Sequence, residues 1–139
     1  MIRGRKPTPK TSISPIEAPE MASDWPVEVQ QAYATITASL EALGVIHEAD
    51  LPSVELMAAH YAIAKSAAKE ILTEGLTAHD KNGSERKSPM LQVLRDHSEA
   101  YKSYAAEFGM TPAARERITL NQQDEENPFE RFLAEKDIP

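Results

Sequence analysis

Four histidines are the side chains best equipped for chemistry in this sequence, and their spacing offers little of it. His47, His60, His79 and His97 are scattered, with no H-x-x-x-H pair on one helix face. Catalytic zinc usually needs about three convergent protein ligands, so no metal site is expected. His47, Glu48 and Asp50 sit close together, but in a turn where Asp50 has a better use as a helix cap. His60 falls beside the apolar face of a helix, where a packed, hydrogen-bonded histidine is expected. Cysteine is absent, which excludes a thiol nucleophile, a disulfide framework and a thiolate metal site. The five glycines form neither a phosphate-cradling loop ahead of a lysine nor a serine-nucleophile elbow. No catalytic residue, cofactor or metal is expected, and the chain reads as a non-enzyme.

The cations suggest binding instead. Arg3, Arg5, Lys6 and Lys10 load the first ten residues with positive charge and no acid. Lys65 and Lys69 lie one turn apart on a helix, and Lys81, Arg86 and Lys87 fall in an exposed loop. Arg115 and Arg117 stand near a helix N-terminus, whose backbone amides also suit anions. Each could contact DNA phosphates, though taken singly each is more often a plain solvated charge. The net charge of −7 opposes broad binding by an isolated monomer, because phosphate neutralisation dominates DNA affinity. In a ring of identical copies the same weak contacts would repeat and add. Beyond Asn121 the charge reverses, with Asp124, Glu125, Glu126, Glu130, Glu135 and Asp137 set against Arg131 and Lys136. Such opposed ends suggest separate partners, or two solvated tails.

The elements that must hold these groups are helices. With 139 residues, 41% of them hydrophobic and only 6% aromatic, the chain is one alanine-rich domain suited to close helix packing. Residues 1–23, with Pro7, Pro9, Pro15 and Pro19, read as a flexible basic arm without an apolar period to bury. A first helix is predicted after Asp24, with Trp25 and Pro26 in its opening turn and Val29, Tyr33, Ile36, Leu40 and Leu43 on one stripe. Gly44 should stop it. A second runs from Asp50, as cap, to Glu74, with Leu51, Val54, Met57, Ala58, Tyr61, Ala64, Ala68, Ile71 and Leu72 on its apolar face and Gly75 as its end. Asn82-Gly83 favours a type I′ turn, so a short hairpin or mobile loop is predicted between the helices. Ser88-Pro89 starts a third helix with Leu91, Leu94, Tyr101, Ala105 and Phe108 inward, and Gly109 ends it. Thr111-Pro112 opens a fourth, and the polar stretch 121–127 reads as a linker. Phe129, Phe132 and Leu133 then form a short amphipathic segment.

The predicted fold is all-α: a helical hairpin core over residues 24–120 with a short loop or β-hairpin insertion. The basic arm of residues 1–23 and the acidic tail of residues 121–139 flank it. No apolar run approaches the roughly 18–20 residues of a membrane span, and the chain reads as a soluble intracellular protein.

Taken in order, these landmarks resemble the small terminase subunit of tailed bacteriophages, in its single-domain branch. Gly4-Arg5-Lys6-Pro7 is similar to that branch's basic start, and Trp25 introduces the first helix. Gly44-Val45-Ile46 before Asp50 resembles its turn ahead of a capping aspartate. Gly75, Asn82-Gly83 and Ser88-Pro89 follow in the family's order, with Ser88 where asparagine is commoner. Phe108-Gly109-Met110-Thr111-Pro112-Ala113-Ala114-Arg115 resembles the family's Phe-Gly-Leu-Thr-Pro-x-x-Arg signature, and Asn127-Pro128-Phe129 through Phe132-Leu133 its C-terminal pattern. The resemblance implies a ring-forming homo-oligomer in the host cytoplasm. It would recognise double-stranded viral DNA and bring it to a large terminase subunit that carries the ATPase and nuclease. The basic arm would then serve DNA, and Phe129, Phe132 and Leu133 a protein partner. The proline-rich start departs from family members that carry an N-terminal helix-turn-helix. Two other readings remain: a phage head assembly or connector adaptor that binds no DNA, and a small transcription regulator using the Phe108–Ile118 junction. Arg115 either pairs with a neighbouring acid or reaches DNA.

Overall fold

The apolar stripe of the first helix is buried where its spacing places it. The computed structural model describes residues 14–125 together with Phe129, Phe132, Leu133 and Glu135. Helix α1 spans Val27–Leu43, with Pro26 just ahead of it accepting from the Val29 and Gln30 amides at 3.0 and 3.1 Å. Val29, Ala32, Tyr33, Ile36, Thr37 and Leu40 are buried. Leu43, the last residue of the predicted stripe, is 42% exposed, because the chain reverses immediately after it. Gly44 at φ +66° makes that reversal. Its N–H donates to Glu41 O and that of Val45 to Leu40 O, at 2.9 and 3.2 Å. This pairing closes a helix end around a left-handed glycine.

The last residues of the N-terminal arm dock on this core. Ile16, Ala18 and Met21 pack against it. The Ile16 N–H donates to Ile46 O at 3.0 Å, and the Ala18 N–H to Glu41 Oε1 at 2.8 Å. Three apolar residues at irregular spacing carry no helix or strand period, so the pattern could not announce them.

A 3-10 turn at Glu48–Asp50 leads into α2, Leu51–Glu74. Asp50 does not cap α2 as predicted; its Oδ2 accepts the His47 N–H at 3.1 Å, closing the turn before the helix. Helix α2 has 24 residues, about 36 Å of length. It buries Val54, Met57, Ala58, Ala62, Ala64, Ala67 and Ile71. These fall on two stripes rather than one. Ala62 sits beside Ala32 of α1, whereas Ala64 lies beside Leu94 and Tyr101 of α3, the helix Met90–Glu107. Tyr61, predicted to be buried, stands on the ridge between the two neighbours and is 37% exposed. Leu72 is 85% exposed. The first turn of α1, at Glu28, already lies across the cleft from Lys69, so α1 has nothing left to cover Leu72.

Between α2 and α3 the strands β1 (Thr77–His79) and β2 (Glu85–Lys87) pair antiparallel, with Ala78 opposite Arg86. The turn is not type I′, because Asn82 has a negative φ and only Gly83, at +79°, is left-handed. Asp80 organises it instead. Its carbonyl accepts the Gly83 N–H at 3.0 Å, and its Oδ1 accepts the amides of Asn82 and Ser84 at 2.9 and 3.0 Å. A three-residue loop ending in a left-handed glycine follows.

Helix α3 runs antiparallel to α2, and these two share the most extensive contact in the chain. The N-cap of α3 is Pro89 rather than Ser88, and the Ser88 hydroxyl accepts the Met90 N–H from one residue ahead of it, at 3.3 Å. Helix α4 spans Pro112–Glu125, so helix continues through residues predicted to be linker. The core lies among α1, α2 and α3, with Leu40, Ile46, Val54 and Met57 fully buried. The architecture is the predicted helical hairpin with a β-hairpin insertion.

Candidate nucleic-acid interface

Five basic residues lie on the C-terminal half of α2 and on the β-hairpin that follows it. Lys65 and Lys69 are exposed on α2, about 14 and 8 Å along the axis from its C-terminal residue. The β-hairpin begins three residues beyond that end, and Lys81, Arg86 and Lys87 are all exposed on it. Between positions 65 and 87 five basic residues face four acids, Glu70, Glu74, Asp80 and Glu85, in a chain whose net charge is −7. The carboxylate of Asp80 is engaged by backbone amides of its own loop. None of the five cations forms an ion pair among the described residues. The Lys65 ammonium stands 5.8 Å from the centre of the Tyr61 ring, which orients it without neutralising it.

The three hairpin cations do not form one cluster. Successive residues on a strand point to opposite faces, so Arg86 faces away from Glu85 and Lys87. Lys81 is at the loop tip. The hairpin therefore presents positive charge on both sides and at its end. The predicted contacts Arg3, Arg5, Lys6 and Lys10 lie outside the described residues.

The α3–α4 junction is built by local hydrogen bonds. Gly109 stands at φ +70°. The Met110 N–H donates to Ala105 O at 2.8 Å and the Gly109 N–H to Ala106 O at 3.2 Å, repeating the closure seen at Gly44. The Thr111 hydroxyl accepts the Ala114 N–H at 3.2 Å and so caps α4. Arg115 donates from Nη1 to Met110 O at 3.0 Å. Its partner is thus the carbonyl at the bend rather than an acid, and its guanidinium ties the two helices together. Arg117 is exposed beside Glu107 and Ile118.

One constellation was not legible in the sequence. His60 on α2 and His97 on α3 meet with their Nδ1 atoms 2.8 Å apart and ring centres 5.0 Å apart. Tyr104 stacks on the other side of His60 at 6.0 Å. Burial, then the neighbouring His97, pushes His60 below the ordinary histidine range. The expected hydrogen bond of His60 exists, with a partner 37 residues away. Only the pairing of two helices in register could have found it. No group of three metal-binding side chains occurs among the described residues, and none of their helices is long and apolar enough to cross a membrane.

Residues 30–125 match the family model described as phage terminase, small subunit. The chain belongs to that family. No curated protein and no solved structure matches it significantly. The matched span of this small terminase subunit takes in α2, the basic β-hairpin, α3 and the Gly109 junction. Small terminase subunits are generally non-catalytic components of viral genome packaging. Phe129, Phe132 and Leu133, predicted to bind a partner, lie beyond the span with helical backbone and exposures of 64%, 55% and 48%.

Proposed function

We propose that this chain is the DNA-recognition component of a phage packaging machine, acting in the host cytoplasm as a ring-shaped homo-oligomer. It binds double-stranded viral DNA and brings it to the large terminase subunit, which hydrolyses ATP and cuts the genome. The observation that carries this reading is the set of exposed cations on α2 and the β-hairpin in a chain of the small-subunit family. Lys65, Lys69, Lys81, Arg86 and Lys87 each supply an exposed cation, and repetition around a ring multiplies them. Arg3, Arg5, Lys6 and Lys10 extend the DNA contact from the N-terminal arm. Phe129, Phe132 and Leu133 engage the large subunit through their i, i+3, i+4 spacing. The junction from Phe108 to Arg115 is the family's signature bend.

The test is DNA affinity as a function of salt, with oligomeric mass measured in the same buffer. Alanine at Lys81, Arg86 and Lys87 together should flatten the dependence of log affinity on log salt by about 0.9 per lost phosphate contact. An unchanged slope for these and for the four arm substitutions, or a strict monomer at micromolar concentration, overturns the reading. The net charge of −7 favours the second reading, a head assembly or connector adaptor, which predicts no DNA binding even at low salt.

A further inference from the structure

We propose that the His60–His97 contact is a proton-operated latch between α2 and α3, closed while the pair carries at most one positive charge and open when both rings are cations. The geometry sets this rule. Two Nδ1 atoms 2.8 Å apart can share one hydrogen: one ring donates Nδ1–H and the other accepts on a bare nitrogen. That holds when both rings are neutral, and again when one is a cation, where the bond becomes charge-assisted. With both rings protonated, two N–H groups face each other across the same gap, and no rotation within the contact leaves an acceptor. The latch must then part.

Its surroundings do not rescue the doubly charged state. One turn either side of His60 on α2 stand Leu56, Met57, Ile63 and Ala64, and around His97 on α3 stand Val93, Leu94, Ala100 and Tyr101. Tyr104, stacked on His60, adds no carboxylate to the contact. The nearest carboxylates in sequence, Asp96 and Glu99, are on the exposed side of α3, and Asp96 is engaged with Gln92 and Arg95. The latch sits midway along the most extensive helix contact of the chain, so opening it loosens the helix pair that carries the β-hairpin. This inference rests on the α2–α3 geometry alone and survives if the packaging reading fails.

The experiment is a titration of the full-length, ¹⁵N-histidine-labelled chain between about pH 8 and pH 5, with imidazole nitrogen shifts and melting temperatures read in parallel. The pair should take up its two protons in separate steps. The second step should accompany a fall in melting temperature of about 2–8 °C for each 1 kcal/mol lost. In His97→Asn the side-chain amide can still face His60 but takes up no proton. That fall should shrink. Both rings titrating together near the ordinary value of about 6.5 would overturn the proposal. So would equal falls in wild type and variant. Should His97→Asn not fold, the wild-type nitrogen shifts decide alone.

Discussion

Alanine at Gly109 should destabilise the chain through two separable effects. Gly109 stands at φ +70°, where a Cβ crowds the following carbonyl and costs roughly 1–2 kcal/mol. The added Cβ would also lie 2.7 Å from Ile118 Cδ1, well inside the carbon–carbon optimum of about 3.5–4.0 Å. Because Cδ1 is the free end of a side chain, relief comes from turning Ile118 off its rotamer, at about 0.5–1.5 kcal/mol. Gly44 is the internal control. It has the same left-handed conformation, at φ +66°, and nothing within 4 Å of an added Cβ. The two effects predict a loss of about 1.5–3.5 kcal/mol for Gly109→Ala against roughly 1–2 for Gly44→Ala. Urea unfolding followed by far-UV circular dichroism measures both. Ile118→Val removes the clashing Cδ1, so in the double variant the excess cost should disappear, giving a coupling of about 0.5–1.5 kcal/mol. If Gly109→Ala costs no more than Gly44→Ala, or Ile118→Val leaves the excess intact, α4 does not pack on the bend as described.

Other substitutions separate core from surface. Met57→Ala should cost about 2–5 kcal/mol, since a fully buried side chain leaves a cavity; Leu72→Ser, on the same helix but exposed, should stay within about 0.5 kcal/mol of wild type. Comparable losses at the two positions would refute the two-stripe packing of α2. Tyr33 sets an alkaline limit: burial, then Glu55 and Glu41, raise its phenol above the ordinary 10.0. Stability linked to it is full below that pH and declines as pH rises through the folded-state value. Tyr33→Phe should therefore flatten the alkaline unfolding curve, with a residual slope from Tyr101, also raised by burial; parallel curves would exclude the effect. Asp80→Ala should speed amide exchange at Asn82 and Ser84, whose N–H groups its carboxylate holds, without lowering the helix melting temperature. Unchanged protection there would show that the loop does not depend on Asp80.

Local signals were legible because local chemistry enforces them. Gly44, Gly75 and Gly109 each end a helix at positive φ, and the Thr111 hydroxyl holds the Ala114 amide expected of a cap. The signals that misled were those with two local solutions. Asp50 could cap the helix after it or close the turn before it, and the structure uses the turn. Asn82 could adopt the left-handed conformation, but Asp80 accepts its amide and Gly83 alone takes the positive φ. For the candidate interface, the exposure of Lys65, Lys69, Lys81, Arg86 and Lys87 was readable from polar context. Their placement on α2 and on the β-hairpin depends on where α2 stops and turns.

The histidines mark the same boundary most sharply. By itself the sequence determined that the chain folds as capped helices around a turn, and that no two histidines share a helix face at i, i+4. Tertiary structure decided that α2 has two neighbours and so two buried stripes, leaving Tyr61 and Leu72 in solvent. It also decided that His60 meets His97. Helix periodicity fixes which residues share a face, but register between two helices is set by how their side chains interlock, and no pattern within one helix contains that information.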